Sequence, residues 1–221
     1  MRFLCLHGAG TSGEIFEIQA GGITYALEKK GHTFTYINGR VQTEGETEIK
    51  DVFDGPFYSH YPRDQPPGDN LRLAIEYVQQ IIATQGPFDG VMGFSQGCAL
   101  ASAMIIQHAE QHPSEKPLFK LAVFICGASP FDPSGTELIE PPSSSAAVTG
   151  AWPIAIPTTH IVGKQDALYP HSMRLYGVCD PAQAEFYDHG SRHLVPFDVK
   201  NTEAMIAAVE GSIRRVLVGG Q

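Results

Sequence analysis

The chain has 221 residues, of which 43% are hydrophobic, enough for one substantial core and short for two domains. Its 15 Lys and Arg stand against 24 Asp and Glu for a net charge of -9, and no basic run relieves that balance, which argues against a nucleic-acid binder. No apolar run approaches the roughly 20 residues that span a bilayer, and MRFLCLHG is too short for the apolar centre of a secretory signal, so a soluble cytoplasmic protein with no membrane partner is expected.

Taken in chain order, strand-like and helix-like segments alternate. RFLCLH (2–7) reads as a short apolar strand, followed by a glycine-rich turn and a helix from about Ile15 to Lys30. TFTYIN (33–38) has the Thr, Tyr and Ile content of a strand, and a long turn-rich stretch runs from Gly39 to Gly68. Asp69 starts a helix whose apolar positions Leu71, Ala74, Ile75, Val78, Ile81 and Ile82 recur at helical spacing, and Gly86-Pro87 ends it. FDGVMGF (88–94) is the next strand, with a helix from Gln96 to about His112 behind it. KLAVFICG (120–127) and PTTHIVG (157–163) are unbroken apolar runs of the kind buried on both faces of a parallel sheet. AEFYDH (184–189) is the last strand, and the last helix spans about Asp198 to Leu217.

Such alternation predicts one α/β domain over residues 1–221: a doubly wound sheet of about six mostly parallel strands with helices on both faces. In these sheets the ligand crevice lies beyond the carboxyl ends of the strands. Loops beginning at His7, Asn38, Phe94, Cys126, Gly163 and His189 should therefore share one face. Residues 39–68 and 127–155 are too long to be simple connections, and are expected to form the walls and lid of a pocket.

The stretch FDGVMGFSQGCALASAMI sets Ser95 between Gly93 and Gly97 where a strand gives way to a helix. A serine in a tight turn needs no function, but this position is that of a nucleophile raised above a sheet, with the Gln96 N–H aimed at the same space. Its hydroxyl needs a base, and the base a carboxylate, in the order Ser, Asp or Glu, His. Asp166 in IVGKQDALYP and His193 in YDHGSRHLVP supply them, each in a loop after a strand. His189 is the rival base but falls at a strand end, and Asp188 and Asp180 are poorer carboxylates. A second oxyanion donor is expected at the Ala9 N–H, in LHGAGTSGEIF (6–16).

That same loop spells G-x-G-x-x-G at Gly8, Gly10 and Gly13, the dinucleotide fingerprint, and Arg40 could hold an NADP phosphate. An oxidoreductase is thus the competing class, although it leaves Ser95, Asp166 and His193 unexplained. Cys5, Cys98, Cys126 and Cys179 are widely spaced and read as buried free thiols. His108 and His112 sit four apart on a helix among polar residues, as on a solvated helix end rather than a metal site.

The motifs LHGAGTSGEIF, GPFYSHY, GFSQGCAL, ICGASPF, IVGKQDALYP and GSRHLVP together resemble the fungal serine hydrolase (FSH) family of α/β-hydrolases over nearly the whole chain, with a likeness to members from polyketide pathways. That resemblance implies a thioesterase or esterase of secondary metabolism that acts on acyl or polyketide chains, with catalytic Ser95, Asp166 and His193 and no metal or cofactor. A general short-chain carboxylesterase is the alternative. Phe16, Phe57, Tyr58, Tyr61 and Trp152 are the expected substrate-binding residues. SSSAAVTGAW (143–152) matches no pattern of the family. An acyl carrier protein is a candidate partner: such proteins are acidic, and Arg40, Arg63, Lys164 and Arg192 in the loops of this face would offer a basic rim.

Overall fold

The computed structural model describes residues 1–142 and 152–219. Its main sheet is built from β1 (Arg2–Leu6), β2 (Thr33–Ile37), β5 (Gly90–Phe94), β6 (Leu121–Ile125), β7 (Thr158–Val162) and β8 (Ala184–Asp188). The strands lie in the order β2-β1-β5-β6-β7-β8, and every neighbouring pair is parallel. The expected six-stranded parallel sheet is therefore present, and all its carboxyl ends face one way.

Helices on both faces explain why β5, β6 and β7 are buried at every position and carry unbroken apolar runs. Along β1, Phe3 and Cys5 enter one core while Leu4 and Leu6 enter the other. The first core is closed by α1 (Gly13–Glu28), through Phe16, Ala20 and Ile23, and by α6 (Val199–Gly219), through Met205 and Val209. The second is closed by α3 (Asp69–Gln85), whose Leu71, Ala74, Ile75 and Val78 form one stripe, and by α4 (Gln96–Gln111). Four of the residues in the first two turns of α4 are Gly97, Ala99, Ala101 and Ser102, small enough for the helix to lie close against the sheet, and it is buried without a break from Gln96 to Ile106.

Two features differ from the sequence expectation. Within residues 39–68, β3 (Val41–Thr43) pairs antiparallel with β4 (Phe57–Ser59), and the single turn α2 (Thr47–Lys50) lies between them. Three-residue strands carry too few positions for a period to show, so the segment reads as turn in the sequence. The helix α5 (Tyr169–Gly177) is also unannounced, because only Ser172 and Leu175 of its nine residues are buried and no apolar stripe forms. Helix α1 begins at Gly13 rather than Ile15, since the Ser12 hydroxyl accepts the Ile15 N–H and sets the start.

All four cysteines are buried and unpaired. Of the second long loop, Phe131 bridges to Leu138 and Ile154 to Cys179. SSSAAVTGAW, apart from Trp152, lies outside the described residues, and with it the centre of the expected lid. Among the described residues, no helix is long and apolar enough to cross a membrane.

Candidate active site

Only Ser95 separates the end of β5 from the start of α4. The chain can reverse in so short a space only through an unusual conformation, and Ser95 has φ 51° and ψ −114°, on the left-handed side that side chains rarely occupy. Both flanking glycines are required by packing: a Cβ on Gly97 would lie 2.0 Å from the Leu6 oxygen, and one on Gly93 2.7 Å from the Cys98 nitrogen. The Ser95 N–H donates to the Ile125 oxygen at 3.0 Å, and the Ser95 oxygen accepts the Ala128 N–H at 3.1 Å, so the end of β6 holds the strained turn from the side.

Asp166 and His193 come from the loops after β7 and β8, which are stitched together. The Asp188 carboxylate accepts the Lys164 and Gly190 N–H groups, and the Gln165 N–H donates to the Ser191 oxygen. Across this seam His193 Nδ1 donates to Asp166 Oδ2 at 2.7 Å, while Asp166 Oδ1 accepts the Leu168 N–H at 2.8 Å. Burial works against the Asp166 charge, but the His193 bond and the Leu168 N–H outweigh it and hold its carboxyl below the ordinary carboxylate value. With Nδ1 committed to the acid, Nε2 is the ring nitrogen left for chemistry. The His193 ring packs on Phe94, centroids 5.0 Å apart, and Phe94 is the residue directly before Ser95.

A Cβ on Gly8 would stand 3.3 Å from the Ser95 Cβ, which sets the loop after β1 against the same turn. Among the described residues, neither the Ala9 N–H nor the Gln96 N–H has a protein acceptor. The rival residues have other partners: His189 Nδ1 accepts the Ser191 N–H at 3.3 Å, Asp188 stitches the two loops, and Asp180 accepts the Ala182 N–H at 2.9 Å. His108 faces the Lys116 oxygen and His112 pairs with Glu115, as on a solvated helix end.

One neighbour of the pair reads in the sequence only as a buried free thiol at the start of a loop. Cys126, at φ 46°, donates its thiol to the Leu194 oxygen at 3.6 Å, and its Sγ, an Asp166 oxygen and a His193 nitrogen lie within 4.8 Å of one another. Burial, with Asp166 beside it, pushes the Cys126 thiol up, so at neutral pH it stays protonated. Its sequence signals are its place directly after a buried strand and within the motif ICGASPF.

The family profile for serine hydrolases (FSH1) matches residues 1–205. The chain belongs to this family of serine hydrolases. It is 34% identical to the Esterase FPY3 of Fusarium mangiferae over 99% of this chain and 100% of the relative. To the Hydrolase phiM of Talaromyces stipitatus it is 30% identical, over 95% of this chain and 86% of the relative. A carboxylesterase from Mesorhizobium loti superposes with a TM-score of 0.62 at 15% identity, covering 95% of this chain and 88% of that one, which assigns the α/β-hydrolase fold.

This hydrolase has a cavity of about 500 Å³ between the first turn of α1 and residues 53–58, lined by Ser12, Glu14, Tyr36, Asn38, Phe53 and Tyr58 among others. Neither Ser95, Asp166 nor His193 lines it, and an aromatic row runs from its wall toward the site: Tyr36 on Phe16, Phe16 on Phe94, Phe94 on His193. Of the expected substrate-binding residues only Tyr58 borders this cavity. Phe16 and Tyr61 are buried, the first enclosed by α1 and the sheet and the second in the other core. Phe57 packs against the backbones of Gly45 and Gly55, and Trp152 is half-buried at the edge of the described residues.

The dinucleotide reading of Gly8, Gly10 and Gly13 also meets a physical obstacle. A pyrophosphate would need free N–H groups at the start of α1, but the Gly13 N–H is bound by Asn38 and the Ile15 N–H by Ser12. Of the basic residues, Arg63 pairs with Glu46 and Arg40 bonds Asn70, while Lys164 and Arg192 are exposed.

Proposed function

We propose that this serine hydrolase cleaves an ester or thioester of an acyl or polyketide chain through an acyl-enzyme intermediate, with Ser95 as nucleophile, His193 as base and Asp166 as the carboxylate that holds the base. The observation that carries the reading is the 2.7 Å bond from His193 to the buried Asp166, with the His193 ring packed on Phe94, the residue directly before a serine held in a left-handed turn. His193 Nε2 takes the Ser95 Oγ proton as Oγ attacks the carbonyl carbon, and Asp166 stabilises the imidazolium. Charge then develops on the carbonyl oxygen, where the free Ala9 and Gln96 N–H groups would receive it. The leaving alcohol or thiol departs with the proton from His193, and a water molecule activated by the same ring releases the acid. The acyl and polyketide class rests on the family motifs, and an acyl carrier protein as donor rests on the exposed Lys164 and Arg192 near the same loops.

The test is Ser95→Ala against p-nitrophenyl esters of increasing chain length, with a fluorophosphonate probe on the wild type. The variant should lose on the order of 10⁴-fold in kcat and all labelling, whereas Cys98→Ser keeps most of both. Near-wild-type turnover by Ser95→Ala would remove the assignment. A kcat/KM that is highest for acetyl and falls steadily with length would instead favour a short-chain carboxylesterase.

A further inference from the structure

On the opposite side of the Ser95 turn lies a buried polar group that the steps above do not use. His7 and His60 are enclosed, at 0% and 1% exposure, and their rings stack with centroids 4.7 Å apart. Burial lowers His7 to about 4, and burial with the neighbouring His7 lowers His60 well below the ordinary imidazole value. At neutral pH each ring is therefore uncharged and carries one hydrogen.

Their partners decide where that hydrogen sits. The Gly39 N–H donates to His7 Nε2 at 2.8 Å, so Nε2 is bare and the hydrogen is on Nδ1, which faces the Gly8 oxygen at 2.5 Å. His60 Nε2 lies 3.0 Å from the His7 oxygen, which can only accept, so that ring carries its hydrogen on Nε2. Gln96 closes the group through the backbone: its Oε1 accepts the His60 main-chain N–H at 2.8 Å and its Nε2 donates to the Tyr61 main-chain oxygen at 2.9 Å.

The consequence follows from peptide geometry. The Gly8–Ala9 bond is trans, so its C=O and N–H point in opposite directions from one rigid plane. Drawing the Gly8 oxygen onto the His7 ring turns the Ala9 N–H away from the ring. That N–H has no protein acceptor among the described residues, and Gly8 packs on Ser95. We propose that His7 is a positioning residue: by holding the Gly8 carbonyl it aims the Ala9 N–H at the oxyanion, and His60 and the Gln96 side chain lock His7 in that role. Gln96 contributes the other expected donor from its own backbone, so one buried network governs both halves of the oxyanion site. The proposal rests on the hydrolase mechanism above and extends it to the residues that set its geometry.

Three measurements test it. In the wild type labelled with ¹⁵N-histidine, spectra at pH 7 should show, besides the His193 ring that donates Nδ1–H to Asp166, an imidazole protonated on Nδ1 and bare on Nε2 that is lost in His7→Asn and kept in His193→Ala. The His7→Leu variant removes both bonds and should lower kcat by about 10²- to 10³-fold with KM within about threefold, as loss of an oxyanion donor does. Its affinity for an alkyl boronic acid, which forms a tetrahedral adduct, should fall in parallel. His7→Asn keeps an N–H near the Nδ1 position and should recover kcat to within about tenfold of wild type. A folded His7→Leu with wild-type kcat, or a His7 ring protonated on Nε2, overturns the proposal, and the tautomer measurement decides even where the leucine variant does not fold. If Ser95→Ala still turns over, the mechanism itself has failed. With Ser95 essential and labelled but His7 in the wrong tautomer, only the positioning role is lost.

Discussion

Acidification should destabilise this protein well before its carboxylates titrate, because three imidazoles are buried in the neutral form. His160 is the third: it is enclosed on β7 between Phe124 and Tyr176, its Nε2 3.1 Å from the Thr158 hydroxyl, and burial lowers it to about 3. An unfolded chain restores each ring to about 6.5, so between that value and the folded one the unfolded state binds protons that the folded state refuses. Stability is thus full above pH 6.5 and is lost as pH falls toward 4 for His7 and 3 for His160. By pH 5 each ring costs about 2 kcal/mol relative to pH 7.5, a figure set by the unfolded pKa and so the same for His60. The sum of about 6 kcal/mol is comparable to the whole stability of many domains, and for a chain of this length corresponds to a fall in Tm of roughly 12 to 24 °C. Asp166 adds nothing in this window: its lowered pKa contributes stability that disappears only below the ordinary carboxylate range. Thermal melts by circular dichroism at constant ionic strength from pH 7.5 to 5 would measure the slope. His160→Phe, which removes one titrating ring among aromatic neighbours, should flatten it by about a third. A Tm that changes by less than about 4 °C over the range would refute the reasoning.

Two predictions concern the site. His193→Ala should lose nearly all hydrolysis while remaining folded, whereas His189→Ala should keep most activity and lower Tm by a few degrees, since His189 packs on Cys126 and accepts the Ser191 N–H; circular dichroism melts and ester turnover separate the two, and the reverse result would transfer the base to His189. Reversing Lys164 and Arg192, two exposed cations of this face, to Glu should raise KM for a carrier-bound thioester and leave turnover of a small neutral ester unchanged; equal effects on both substrates, or none on either, would favour a free ester or coenzyme A thioester.

The layers of this molecule were readable in the sequence because they rest on local period. Strands such as LAVFI are apolar at every position when helices cover both faces, and the stripe of Leu71, Ala74, Ile75 and Val78 can only be a helix. Parallel strands in turn require crossovers, which send Ser95, Asp166 and His193 to one edge whatever the details of the loops. Where no period can form, the reading stops: β3 and β4 have three residues each, and α5 buries only two. Aromatic residues in the motif loops are ambiguous for a similar reason. Phe16 and Tyr61 have the composition of pocket walls and of core alike, and only the fold assigns them to the core.

A different limit governs the polar groups that support the site. His7 acquires its tautomer from Gly39, His60 its place from Gln96, and Cys126 its partner from Leu194, each pair separated by at least 32 residues. In sequence these three residues fall inside the motifs LHGAGTSGEIF, GPFYSHY and ICGASPF, but nothing in the motifs names the distant partner each one meets. Their chemistry exists only after the loops have converged. The same convergence explains how the Ser95 turn keeps its strain: Leu6 and His7 press on Gly97 from one side, Ile125 and Ala128 bond Ser95 from the other, and no single contact could hold a serine at φ 51°. A nucleophile motif is thus legible from five residues, while its geometry depends on four loops. Substitutions in this site should therefore divide by type: those at Ser95, Asp166 or His193 remove a step of the reaction, and those at His7, His60 or Cys126 leave every reacting group in place but out of line.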